Sequence, residues 1–159
     1  MYSLNAAVPS SVGRLASGFA SDLLDADVRE HHTLVVKRLS DEDPSSLAAD
    51  VRSVVAGTEP FPARVTGVEL FDDPPTGAAP IAYLRVESPG LHRLHRRLCE
   101  RYDPVETLEA GEYVPHVTIA RGGDAARLRG RDADVEWTVD RLLVWAGGYG
   151  EPVEGIALP

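Results

Sequence analysis

A chain of 159 residues, 43% of them hydrophobic, has the size of one domain that can bury its own core, and it shows neither a basic leader nor an apolar run long enough to span a membrane. Its 25 acidic residues outnumber 16 basic ones, giving a formal net charge of -9, which excludes broad binding to duplex DNA through phosphate neutralisation. One cysteine, Cys99, excludes an internal disulfide and a paired-cysteine metal knuckle, so a cytoplasmic protein without a metal is expected. Lys37 is the only lysine, and an acidic, arginine-rich and lysine-poor surface suggests a halophilic source.

In chain order, "YSLNAAV" reads as a strand with Leu4 and Ala6 on one face. Beyond Pro9, Val12, Leu15, Ala16, Phe19 and Leu23 fall at helical spacing. "HTLVVKRL" is the next strand. Asp43 and Pro44 open a second helix with Leu47, Val51, Val54 and Val55 on its apolar face, and Gly57 ends it. "ARVTGVELF" is a third strand, followed by the turn-rich segment 72–80. The order then repeats. "IAYLRVES" is a strand, Ser88 and Pro89 start a helix carrying Leu91, Leu94, Leu98 and Tyr102, and "HVTIAR" is a strand. A short helical piece over "GDAARLRGR", a long strand or hairpin over "VEWTVDRLLVWAG" and an edge strand in the tail complete the pattern. Gly122-Gly123, Gly147-Gly148 and Gly150 read as turns, because no phosphate-loop spacing accompanies them. Two halves, roughly 1–72 and 79–159, thus form an internal repeat whose terminal strands can cross between lobes. Helices this few suit an α+β fold with antiparallel sheets lining a cleft and helices on the outer faces.

The repeat carries chemistry at matching places. His31 and Thr33 stand two apart at the head of one strand, and His116 and Thr118 do the same in the second half. Residues i and i+2 of a strand share a face, so each pair projects an imidazole and a hydroxyl together. Two such strands side by side suit a phosphodiester. One neutral imidazole takes a proton from the attacking oxygen, the opposing imidazolium protonates the leaving oxygen, and the hydroxyls hold non-bridging oxygens without a metal. His32 alternates to the other face. By the same parity Lys37 joins the face of His31 and Thr33, and Tyr83 and Arg85 share a face on the strand that opens the second half, as candidates for charge and ring stacking on RNA. Arg121 falls opposite His116 unless the strand ends or bulges.

The motifs "HHTL" and "PHVTI" resemble the paired H-x-T-x motifs of the 2H phosphoesterase superfamily, which includes the 2′-5′ RNA ligases and RNA 2′,3′-cyclic phosphodiesterases. The resemblance implies a bilobal fold with a central cleft and a metal-independent hydrolase of 2′,3′-cyclic phosphates. It implies reversible 2′-5′ RNA ligation as an accompanying activity, with His31 and His116 catalytic and Thr33 and Thr118 binding phosphate. RNA 3′ ends or small cyclic nucleotides are the expected partners of a monomer. The first motif departs from the bacterial ligases, which follow it with an aromatic, Leu and Gly where this chain has "VVKRLSDED", and Arg121 stands where relatives often carry arginine. A nucleotide-binding module without turnover is the alternative.

Two features read as decoys. His92, His95 and Cys99 lie at helical spacing but on the flank of the buried stripe, and Trp137 and Trp145 read as packing residues. The arginines at 93–101 and 127–131 read as partners of neighbouring carboxylates.

Overall fold

Two antiparallel sheets organise the protein in a computed structural model that describes residues 1–147 and 150–159. The turn expected at Gly147-Gly148 therefore lies partly outside the described residues. In chain order the elements are β1 (Tyr2–Ala6), α1 (Ser10–Ala20), β2 (Asp27–Val28), β3 (Leu34–Arg38), α2 (Pro44–Val55), β4 (Phe61–Phe71) and β5 (Ile81–Glu87). They continue with α3 (Pro89–Arg101), β6 (His116–Arg121), β7 (Val135–Val139), β8 (Arg141–Ala146) and β9 (Glu151–Ala157). One sheet has the order β3-β1-β8-β9 and the other β2-β6-β5-β4-β7. Strands at the ends of the halves are exchanged: β4 pairs with β5 and β7, while β8 pairs with β1 and β9. The segment expected as one long strand or hairpin is neither, because the chain leaves one sheet after β7 and enters the other at β8.

Local chemistry sets the helices. Asp43 caps α2, its Oδ2 accepting from the Ser46 N–H at 3.2 Å, and Pro44 supplies a first helical residue that needs no donor. Ser88 caps α3 through the Leu91 N–H and donates its own hydroxyl to Pro62 O, tying the helix start to β4. α1 packs on β6, α2 on β8 and β9, and α3 spans both sheets through β3 and β4. Beneath them lies one core that includes Leu4, Leu34, Val144, Leu84, Leu94 and Val117. Each sheet therefore buries an apolar face under helices. No helix among the described residues is long and apolar enough to cross a membrane.

Both cleft-forming sheets contain a bulge that the strand periodicity does not announce. In β3, Leu4 faces Lys37 and Asn5 faces Val35, so Val36 is an extra residue. In β6, Ala82 faces Ala120 and Tyr83 faces Thr118, so Ile119 is extra. An extra residue reverses which face the following side chains meet. Lys37 turns to the core face with Leu4 and Leu34, Arg38 takes the cleft face, and Arg121 joins the face of His116.

Candidate active site

His116 opens β6 with its ring held on three sides. The Nδ1–H donates to Val114 O at 2.7 Å; a carbonyl can only accept, so this bond leaves Nε2 as the free nitrogen. Phe71 meets the ring edge-on at 5.0 Å between centroids and Tyr83 at 5.4 Å, and those two rings stack on each other at 4.0 Å. Burial lowers the His116 pKa below that of a free imidazole; the Val114 bond opposes this, and the charges of Arg38 and Arg29 lower it further. The result is an imidazole neutral at physiological pH with an available lone pair.

A cavity of about 470 Å³ lies over this ring, bounded by Thr33, Val35 and Arg38 from the four-stranded side and by His116, Thr118 and Arg121 from the other. Arg121 enters it because of the Ile119 bulge. Its guanidinium donates to Thr76 O and lies against Gly77, whose φ of +79° favours glycine in the turn. Arg29, which no sequence signal marked, lines the same cavity.

The first motif sits differently from its counterpart. The expected strand beginning at His32 starts only at Leu34, and the two-residue β2, absent from the sequence reading, pairs with β6 just before the motif. Between them residues 29–33 carry the chain from one sheet to the other, so His31 and Thr33 ride a crossing segment rather than a strand. Asp124 anchors its approach by accepting from the N–H groups of Leu24, Asp25 and Ala26 at 2.9, 3.2 and 3.1 Å, while Asp25 accepts from Asp124 N–H at 2.8 Å. Those bonds hold the Asp124 carboxyl far below the usual carboxylate range. His31 lines an adjoining cavity of about 420 Å³, against Trp145 at 6.0 Å between ring centroids. Arg29 and Thr33 are common to both cavities, so the two motifs meet at a shared wall. His32 turns away toward Gly13 of α1.

Lys37 is a correction. It is fully buried, its Nζ donating to Glu109 Oε1 at 2.6 Å, Arg38 O at 3.0 Å and Asp103 O at 3.2 Å, and it cannot meet a ligand in the cleft. Burial would raise the Glu109 pKa, but hydrogen bonds from Lys37, Arg38 N–H and Val105 N–H outweigh it and keep the carboxyl below its ordinary value. Tyr113, whose hydroxyl donates to Val35 O at 2.9 Å, adds a second tie between β3 and the segment leading to His116. Tyr83 and Arg85 share the face of His116 and Thr118 by register but line neither cavity. Tyr83 is part of the ring stack, and Arg85 donates to Thr66 Oγ1 and Glu69 Oε1.

The His92/His95/Cys99 set is not arranged for a metal. The His95 Nδ1–H donates to Val36 O at 2.7 Å, while Nε2 accepts from Ala110 N–H at 2.9 Å, which uses both nitrogens. In the C-terminal cluster Arg127 pairs with Asp124, Arg129 with Asp72 and Arg131 with Asp22, whereas on the helix Arg101 pairs with Asp50 but Arg97 donates to Thr58 Oγ1 and Val54 O instead of a carboxylate.

The profile of the 2′-5′ RNA ligase superfamily matches residues 8–150. The chain belongs to the 2′-5′ RNA ligase superfamily. Solved structures agree on the fold. TT0787 of Thermus thermophilus superposes with a TM-score of 0.72 at 19% identity, over 99% of this chain and 97% of that one. LigT of E. coli complexed with NADP+ gives 0.68 at 14% identity, over 99% and 96%. LigT complexed with 3′-AMP gives 0.68 at 13% over the same shares. No curated protein matches the chain in sequence. Superfamily membership and fold agree on a phosphoesterase-type protein with the α+β, two-sheet architecture.

Proposed function

We propose that this superfamily member is a metal-independent phosphodiesterase of RNA 3′ ends and small cyclic nucleotides. It opens a 2′,3′-cyclic phosphate to a 2′-phosphate, with 2′-5′ joining when a 5′ hydroxyl attacks phosphorus in place of water and the same bond to the 3′ oxygen breaks. One observation carries the reading most: the Nδ1–H of His116 is spent on Val114 O, which leaves a neutral Nε2 beside Thr33, Thr118 and three arginines.

In the forward direction Nε2 of His116 takes a proton from water as the water oxygen bonds to phosphorus. The bond from phosphorus to the 3′ oxygen breaks, and His31, as imidazolium, protonates that oxygen. Thr33 and Thr118 hold non-bridging oxygens, while Arg29, Arg38 and Arg121 offset the charge that builds on them. Both histidines come from one chain, so a monomer suffices. The LigT complexes with ATP and 3′-AMP support a nucleotide as the ligand class.

The test is to incubate the protein with 2′,3′-cyclic AMP in EDTA and identify the product. The expected product is 2′-AMP at a rate unaffected by chelator. Exclusive 3′-AMP, or loss of the reaction in EDTA, counts against the mechanism. Calorimetric binding of the nucleotide without any product would identify a binding module instead.

A further inference from the structure

We propose that the cavity beside His31 is a nucleobase subsite that takes a neutral base bearing an exocyclic amine, with Trp145 as its stacking surface and Asn5 as the acceptor that reads the amine. The proposal rests on the reading of the cleft as a nucleotide site and names the part of the nucleotide this side receives.

Three observations converge on it. The first is a buried polar group without a partner: Asn5 is 2% exposed at the cavity wall, and its Oδ1 has no hydrogen-bond partner among the described residues. Among the described residues its amide nitrogen donates to Ser3 Oγ alone, at 3.4 Å, itself a wall residue. Leaving a buried amide oxygen unpaired is costly, and a bound donor removes the cost. Asn5 faces the cleft because β1 alternates, with Leu4 and Ala6 directed into the core.

The second is the division of charge between the cavities. Arg38 and Arg121 line the cavity over His116 and not the other, Arg29 lines both, and Asp27 and Glu30 line the cavity around His31 and not the other. Carboxylates beside an amide oxygen repel phosphate and accept hydrogen bonds, so this side suits a neutral group rich in donors. The third is Trp145, held on the cleft face of β8 opposite Ser3. An indole face is a stacking surface for a planar ring, and every base has a π-face to offer. An amine-bearing base such as adenine satisfies all three features, and the position beside Thr33 lets its phosphate reach the arginine-lined cavity.

The full-length protein is titrated with 2′-AMP and with purine riboside 2′-phosphate, which lacks only the amine, by calorimetry and by tryptophan fluorescence. Roughly tenfold tighter binding of 2′-AMP is expected, the loss of one hydrogen bond to a buried acceptor. Asn5→Leu should abolish that preference while still binding the purine riboside compound, and Trp145→Phe should remove the ligand-induced fluorescence change and leave Trp137 emission. Equal affinities in the wild type overturn the proposal, as does binding of neither compound. That comparison needs no variant, so it decides even if Asn5→Leu fails to fold. A preference that survives in Asn5→Leu also overturns it. Turnover of 2′,3′-cyclic AMP, read in parallel, separates the two readings. Turnover without amine preference removes the subsite and leaves the phosphodiesterase, whereas amine-selective binding without turnover upholds the subsite and removes the phosphodiesterase.

Discussion

A histidine can serve as a base at neutral pH when one nitrogen is fixed by an acceptor and the other is left without a proton, and His116 meets both conditions. The pH dependence follows from the direction of its shift. Because burial and the arginine charges lower its pKa below 6.5, the acid limb of the kcat/KM profile, where His116 takes up a proton, should lie below that value. Removing one of those charges reverses part of the shift, so Arg38→Ala should move the acid limb of the profile to higher pH. A limb that stays in place would show that Arg38 does not face His116. The histidine-threonine pairs were legible because chemistry of this kind needs specific residue types, and types are what a sequence displays. The orphan amide of Asn5 and the charge of Arg29 were not, because a lone Asn or Arg acquires meaning only from what the opposing sheet brings to it.

At the scale of elements, two bulged residues decide which cations reach the cleft. Parity along "HTLVVKRL" assigns Lys37 to the cleft, and the Val36 bulge delivers Arg38 instead. Lys37 then becomes the centre of a buried ion pair with Glu109 that fastens β3 to the segment before His116. The two neighbours should respond in opposite ways. Lys37→Met leaves a buried carboxylate without its cation and should cost about 3–5 kcal/mol of stability by urea unfolding. Arg38→Ala should change stability by less than about 1 kcal/mol and raise KM for a cyclic nucleotide roughly tenfold. Equal stability losses would contradict the assignment of faces. Apolar periodicity and capping residues exposed the helices, since Asp43 and Ser88 act locally. Bulges escaped because an extra residue is defined by its partner strand, and the two-residue β2 is too short to leave a period.

For the molecule as a whole, strand exchange makes the sequence repeat and the folded sheets different partitions of one chain. β4 leaves the first half to pair with β5 and β7, and β8 returns to β1. Neither half contains a complete sheet, so residues 1–72 and 79–159 expressed separately should lack native far-ultraviolet dichroism. The intact chain should unfold in one transition by both dichroism and tryptophan fluorescence. A fragment that folds alone would show the halves to be autonomous. The pairing of β2 with β6 and the crossing to β3 bring the two motifs, far apart in sequence, to a wall shared through Arg29 and Thr33.

The central claim is that the two histidines divide one proton-transfer task. It is tested most directly by the turnover of 2′,3′-cyclic AMP by His31→Ala and His116→Ala, each checked for an unchanged melting profile. The account predicts that each loses about 10²- to 10⁴-fold in kcat, the typical worth of a general acid or base. A near-normal rate in either folded variant contradicts it.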